Sequence, residues 1–257
     1  MYPDWIQQQA KEKHLSLKET AQIFLQVCVL KHLSLSSARF MGGTALVLGY
    51  NNPRFSEDID LTQVQKPALL RPGLMKARFE IEGWFGKPVI LTAPKVGGQT
   101  WRMIVTLSPS ESVRLHIDSQ PFKAYTTRPL VIDQPPLSPF VCGTLELDEI
   151  MADKIIALAC RNYLGGRDLF DLWFHWLRME TGKPRQKFIL DLVKKKIRER
   201  KISLKELRRL LAERVGGKIV LARAREEWKR YLPADFQKVS ILNEIVSRCR
   251  QLPEIVS

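Results

Sequence analysis

Apolar residues recur at two different periods along this chain, and the change between them divides it. Ser16-Leu17-Lys18-Glu19 places a serine three residues before a glutamate, the spacing of a capping box. Ile23, Phe24, Val27 and Leu30 then fall on one side of a helix that runs to Lys31-His32. Residues 38–41 read as a short strand before the Gly42-Gly43 turn, residues 44–50 as a short helix, and Asn51-Asn52-Pro53 as its break. A strand follows over 57–62. Pro67 and Pro72 confine any helix within 66–87 to the residues after Gly73. Strand-like runs come next at 89–92, 101–107 and 112–118, the last two joined as a hairpin through Pro109-Ser110-Glu111. In the last of these Val113, Leu115 and Ile117 face inward, while Arg114, His116 and Asp118 face the other way.

Past the proline-rich connector at 133–139 the period becomes helical. Ile150, Lys154, Leu158 and Arg161 line one side of a first helix, which Gly165-Gly166 stops. A second helix covers 167–179. Helices rich in Lys and Arg continue to Leu232, Pro233 interrupts them, and a last one covers 240–252. The predicted fold class is α+β: an α+β part over residues 1–140 and a helical part over 141–257. The chain shows no repeat and no low-complexity segment.

Composition sets outer bounds on this picture. The 257 residues are 45% hydrophobic, enough for a substantial core. No apolar run approaches the roughly 18 residues that a membrane span needs. Met1-Tyr2-Pro3-Asp4-Trp5 lacks the basic-then-apolar layout of a signal peptide. Cys28, Cys142, Cys160 and Cys249 are far apart with no Cys-x-x-Cys spacing, which argues against a zinc site or a disulfide framework and points to a reducing cytoplasm. The net charge is +14, and it is unevenly placed. Residues 183–257 hold 21 Lys+Arg against 9 Asp+Glu, whereas residues 1–182 are nearly balanced. Such a field favours a polyanionic partner, a nucleic acid or an acidic protein.

The chemistry concentrates in Met41-Gly42-Gly43-Thr44-Ala45-Leu46 and Arg54-Phe55-Ser56-Glu57-Asp58-Ile59-Asp60-Leu61. Residues two apart on a strand point the same way, so Asp58 and Asp60 share one face and Ile59 and Leu61 the other. Paired carboxylates repel unless a cation sits between them. Mg²⁺ is commonly held by one or two carboxylates together with substrate phosphates. Asp118 lies on the polar face of a second strand and supplies a third acid if the strands are neighbours. Glycines before a short helix let backbone approach a phosphate, and Thr44 adds a hydroxyl. Arg54 and Ser56 flank the acidic strand. Farther along, Lys154 shares a helix face with Arg161, and Arg167 is spaced to pair with Asp171, one turn from Asp168. Taken alone, that last segment reads as a helix-surface ion pair. His14, His32 and His175 have no partner spacing; His116 shares a strand face with Asp118.

Together, Gly-Gly-Thr-Ala-Leu, Arg-Phe-Ser-Glu-Asp-Ile-Asp-Leu, Asp-Lys-Ile-Ile-Ala-Leu and Arg-Asp-Leu-Phe-Asp-Leu-Trp, in this order, resemble the AbiEii/AbiGii-type nucleotidyltransferase toxins of the DNA polymerase β-like superfamily. The resemblance covers about residues 36–62 and 145–176. It implies a small mixed sheet flanked by helices, then a helical domain. It also implies transfer of a nucleoside monophosphate from an NTP, with tRNA 3′ ends as the acceptor of some members and a separately encoded antitoxin as partner. By match to the family motifs, Gly43 and Thr44 would contact the triphosphate, Ser56 would sit beside it and Asp58 and Asp60 would hold Mg²⁺. Lys154 would bind the triphosphate, and Asp168 or Asp171 would be the acid that matters for catalysis, with Asp168 favoured. Asp118 follows from superfamily logic and strand alternation. One departure is the thirteen residues, Ala45 to Glu57, between the turn and Asp58, where shorter spacing is common in the superfamily.

The leading expectation is therefore a Mg²⁺-dependent nucleotidyltransferase acting on an RNA end as the toxin of a toxin–antitoxin pair, with residues 183–257 holding the acceptor. Two alternatives stand beside it: a non-catalytic nucleic-acid or antitoxin-binding module on the same fold, and a metal-dependent ribonuclease using the same carboxylates.

Overall fold

The alternation over residues 101–118 forms two adjacent inner strands of a seven-stranded mixed sheet. The computed structural model describes residues 2–13, 15–34, 37–161, 165–178, 183–216 and 218–256, so His14 lies outside the described residues. The chain gathers into two units, Met1–Gly49 with Glu57–Leu145, and Tyr50–Ser56 with Glu146–Ser257. The segment between the Gly-Gly helix and the acidic strand thus belongs with the C-terminal helices.

The first unit begins with α1 (Asp4–Lys13) and α2 (Leu17–Leu33). The capping box forms: Glu19 N–H donates to Ser16 Oγ at 3.2 Å, and Ser16 N–H to Glu19 Oε2 at 2.9 Å. Next come β1 (Arg39–Met41), α3 (Gly42–Tyr50), β2 (Ile59–Thr62) and α4 (Arg71–Phe85). Five strands follow: β3 (Val89–Thr92), β4 (Thr100–Ser108), β5 (Glu111–Ser119), β6 (Thr127–Ile132) and β7 (Phe140–Leu145). The order across the sheet is β3-β4-β5-β2-β1-β7-β6. The β2–β5 and β1–β7 pairs are parallel, and the others antiparallel. Ile59 and Leu61, Trp101 to Leu107 at alternate positions, and Val113, Leu115 and Ile117 all turn into the core, where α2 and α4 pack. Buried aliphatic side chains of this kind contribute about 1.5–3 kcal/mol each relative to exposure.

Three elements differ from the periodicity reading. α4 starts at Arg71 rather than after Gly73, because Pro72 sits in the first turn, where its missing N–H costs no hydrogen bond. β6 is an edge strand that buries only Leu130 and Ile132, so it accommodates Pro129 while lacking clean alternation. β7 follows the connector directly, and its Gly143 makes room for Arg39: a Cβ there would lie 3.0 Å from the arginine stem.

The second unit comprises α5 (Leu147–Cys160), α6 (Gly166–Leu172) with a π-turn over Trp173–Leu177, α7 (Lys183–Glu199), α8 (Leu204–Gly216), α9 (Lys218–Tyr231), α10 (Val239–Cys249) and α11 (Leu252–Ile255). α5 packs against α6, α7 and α8 and is buried almost all round. Gly166 lets α6 approach α9 closely: a Cβ would meet the Ala224 carbonyl at 2.8 Å, and Trp228 Nε1 donates to the Gly166 carbonyl at 2.6 Å. No helix among the described residues is long and apolar enough to cross a membrane.

Charges buried on α5 are matched by α7. Lys196 Nζ lies 2.8 Å from both Glu149 Oε1 and Asp153 Oδ2, and Arg200 Nη2 lies 3.1 Å from Asp153 Oδ1. Lys196 and Glu149 are fully shielded from solvent. Removing one member of a buried pair strands the other charge, at a cost of about 3–5 kcal/mol. Lys196→Met keeps the aliphatic stem and removes the ammonium, so we expect it to lower unfolding free energy by about that amount, read as a lower midpoint in urea.

Candidate active site

The acidic strand is shaped by the turn before it. Gly42 takes φ +77°, in the left-handed region, and a Cβ at that position would overlap the Asp60 carboxylate. The first glycine of the pair is therefore the one the geometry demands. Buried Thr44, two residues into α3, donates its hydroxyl to the Asp58 carbonyl and ties the helix to the acidic segment. In β2, Asp60 pairs with Met41 of β1 on one side and with Asp118 of β5 on the other. Ile59 and Leu61 are buried between the acids, as alternation requires. Asp58 precedes the strand, is 37% exposed, and places Oδ1 3.3 Å from His116 Nδ1. Asp118 Oδ1 accepts the Thr100 hydroxyl.

Asp60 and Asp118 thus share one face of the sheet, Asp58 lies just before β2, and the three offer hard oxygen donors suited to Mg²⁺. The Asp60 carboxylate fills the space that a side chain at Gly42 would take, and three carboxylates of which Asp58 reaches solvent are a donor set that fits a divalent cation. Asp60 and Asp118 lie on two strands and Asp58 before the first of them, and the three acids do not converge on one point. The one group of three ligand atoms within 4.8 Å among the described residues is instead Cys28, His32 and Glu80. There Glu80 already binds Lys31 Nζ at 2.8 Å and His32 Nε2 at 2.5 Å.

The second unit holds a buried network of charge. Arg54 forks onto Asp171, with Nε at 2.6 Å from Oδ1 and Nη2 at 2.8 Å from Oδ2. Its third donor, Nη1, reaches the Phe55 carbonyl at 2.8 Å. Lys154 Nζ bonds Asp171 Oδ2 at 2.8 Å and Asp168 Oδ1 at 2.7 Å, and Arg161 Nη1 reaches Asp168 Oδ2 at 2.5 Å. Asp171 is completely buried and Arg54 only 3% exposed. Burial opposes ionisation of Asp171, but the Arg54 guanidinium and the Lys154 ammonium outweigh it and hold its carboxyl below the usual range. Asp168 is lowered as well: burial opposes the shift, and Lys154 and Arg161 prevail. Asn52 completes the group. Its amide donates to Asp171 Oδ1 at 2.9 Å and lies 3.1 Å from His175 Nε2, while its Oδ1 accepts the Arg54 N–H at 3.2 Å. Burial depresses His175 to about 4. Ser56 is buried at the end of this loop.

The i,i+4 pair expected between Arg167 and Asp171 does not form. Arg167 Nε reaches Glu227 Oε1 at 3.1 Å and its guanidinium lies 4.4 Å over the Tyr231 ring, because Asp171 turns inward to Arg54 and Lys154. The segment is accordingly a buried network and not a surface ion pair. Asn52 and His175 belong to it although no local spacing announces them, since their partners lie more than a hundred residues away.

A mixed sheet in which a glycine turn backs a pair of strand carboxylates is the layout of a nucleotidyltransferase. The family described as "Nucleotidyl transferase AbiEii toxin, Type IV TA system" matches residues 26–245, and the chain belongs to that family. Among solved structures, its fold is similar to MenT4, a nucleotidyltransferase toxin from Mycobacterium tuberculosis H37Rv, with TM-score 0.54 and 14% identity over 93% of this chain and 84% of that one. It is similar also to JHP933 from Helicobacter pylori, with TM-score 0.54 and 20% identity over 94% of this chain and 93% of that one. None of the curated proteins matches the sequence.

With Nε2 facing a donor, His175 is held neutral. Its protonation is penalised in the folded state, so stability falls as pH drops from 6.5 towards about 4. The expected result is a His175 ring resonance that titrates near pH 4 by NMR, and a shallower loss of stability over that window in His175→Gln. Arg54→Met removes the guanidinium fork from Asp171, leaving Lys154 and the Asn52 amide on it, and is expected to destabilise by about 3–5 kcal/mol in urea unfolding.

Proposed function

We propose that this protein moves a nucleoside monophosphate from an NTP to the 3′ end of an RNA, with tRNA as the acceptor, and serves as the toxin partner of a cognate antitoxin. The observation that carries the reading is Asp60 opposite Asp118 in the parallel β2–β5 pair, with Asp58 just before the strand and the glycine turn packed against the Asp60 carboxylate. Availability of both NTP and RNA places the activity in the cytoplasm.

The acceptor hydroxyl attacks the α-phosphate, a new P–O bond forms, and the bond to pyrophosphate breaks in line. Asp58 and Asp60, with Asp118 beside them, would hold Mg²⁺, which when bound lowers the pKa of the attacking hydroxyl and offsets charge on the departing phosphates. Gly43 and Thr44 open α3, whose first N–H groups suit a triphosphate oxygen. Ser56 lies beside the phosphates in this reading. Lys154 and Arg54 supply positive charge for the triphosphate, and Asp168 and Asp171 set the position of both cations. Asp168, which holds Lys154 and Arg161, is the favoured acid of that pair. Preorganised charge of this kind stabilises the transition state without reorganisation.

The test incubates the protein with total RNA, Mg²⁺ and each labelled NTP in turn, and resolves the products on a sequencing gel. RNA lengthened by labelled nucleotide is expected, and Asp60→Ala should abolish labelling with an unchanged circular dichroism spectrum. Shortened RNA would instead indicate a nuclease, and the absence of any Mg²⁺-dependent change a binding module. Labelling that persists in Asp60→Ala would overturn the assignment of the acids.

A further inference from the structure

On the sheet face that bears the acids, two arginines stand beside a hollow that the proposed chemistry leaves unused. Strand register sets them there. Thr100 of β4 opposes Asp118 of β5, Arg102 opposes His116, and Ile104 opposes Arg114. Residues two apart on a strand share a face, so the acidic end of β5 passes into a basic stretch on the same side. Arg114 lies four residues along β5 from Asp118, roughly 13 Å. The hollow measures about 220 Å³ and is lined by Arg102, Met103, Ile104, Arg114, Leu115 and His116.

Neither guanidinium forms an ion pair among the described residues, and both are exposed. Diagonal neighbours on adjacent strands stand roughly 7–8 Å apart, so Arg102 has the like charge of Arg114 on one diagonal and Asp118 on the other, and neither arginine is ion-paired with a carboxylate among the described residues. They do not buttress the sheet, whose core lies on the opposite face. Guanidinium forks match phosphate oxygens in pairs, and their planes stack on unpaired bases. Beside them, Ile104 and its cross-strand partner Ile90, 55% exposed, supply an apolar strip that an acidic peptide would not require but a ribose or base face can cover.

We infer that Arg102 and Arg114 form a phosphate subsite on β4 and β5 that grips the backbone of the single-stranded RNA acceptor just upstream of its reacting 3′ end. This rests on the transferase reading above and names where that acceptor is held.

The full chain and its Arg102→Gln/Arg114→Gln variant are compared for binding a short, 5′-labelled, single-stranded oligoribonucleotide and an acidic peptide of matched charge across a salt series, and for binding NTP with Mg²⁺. Glutamine keeps the stems on the strands, and equal thermal unfolding midpoints establish that both proteins are folded. Losing two phosphate contacts should make the slope of log affinity against log salt shallower by about 1.4. NTP affinity should stay as in the parent, and Arg102→Lys/Arg114→Lys should restore the slope. An unchanged slope and affinity in the glutamine variant overturns the subsite. So does a parent protein that does not bind the RNA, or a loss seen only with an acidic peptide of matched charge. The two readings fail separately. If the parent binds RNA through these arginines yet adds no nucleotide, the transferase reading falls and the subsite stands. If the parent lengthens RNA and the glutamine variant binds it equally well, the subsite falls and the transferase stands.

Discussion

Asp171 is a carboxylate with no access to water, and the second unit is arranged around making that tolerable. An ionised group in such surroundings costs several kcal/mol unless its oxygens are satisfied by opposite charge in good geometry. The Arg54 fork satisfies both oxygens at 2.6 and 2.8 Å, and Lys154 adds a second cation at 2.8 Å. Much follows from that single contact. Residues Tyr50–Ser56 belong to the helical unit even though the chain on either side of them belongs to the sheet. Asn52 must place its amide between Asp171 and His175, and the histidine stays neutral chiefly because it is buried, with Arg178, Arg185 and Arg54 adding to the shift that Asp171 opposes. The thirteen residues between the Gly-Gly turn and Asp58 therefore include an anchored excursion, not merely slack in a loop.

The sheet unit obeys a tighter, steric constraint. Asp60 has room only because Gly42 has no Cβ, and Gly42 can adopt its left-handed backbone only because it is glycine. Thr44 fixes the same segment from the other side through the Asp58 carbonyl. These contacts run from the glycine backbone and a short, buried threonine, so the acids are held by main chain and a stiff side chain rather than by long flexible ones. A site assembled this way is preorganised, which is what electrostatic catalysis requires.

The difference between what was legible in the sequence and what was not follows from the range of the interactions. Alternation over 112–118 depends on residues two apart, and the observed strand buries Val113, Leu115 and Ile117 as read. The capping box spans three residues and forms as written. The Asp58–Asp60 pair spans three residues, and the family that the chain's motifs resemble is the family to which the chain belongs. β6 was hidden because an edge strand need bury only two side chains and can carry a proline. Arg167 and Asp171 have the spacing of a surface pair, yet burial of Asp171 selects Arg54, 117 residues away. Propensity and spacing carry no term for desolvation, so the partner of a buried charge cannot be read from its neighbours.

The same lesson changes how the positive charge of the chain is read. The excess in residues 183–257 suggests a polyanion-binding face, but part of it is consumed internally. Lys196 and Arg200 neutralise Glu149 and Asp153, and Arg185 pairs with Asp148, all three acids lying just upstream of the basic stretch. Those cations stabilise a helical core and present little field to a ligand. Arg102 and Arg114 come from a part of the chain with almost balanced charge, yet they face solvent beside the acidic strand with no carboxylate drawn onto them. Affinity for a phosphate backbone depends on cations that can release counterions to water, not on the charge summed along a segment. By that criterion Arg102 and Arg114, exposed on a sheet face, suit a phosphate backbone better than Lys196 buried against Glu149 and Asp153.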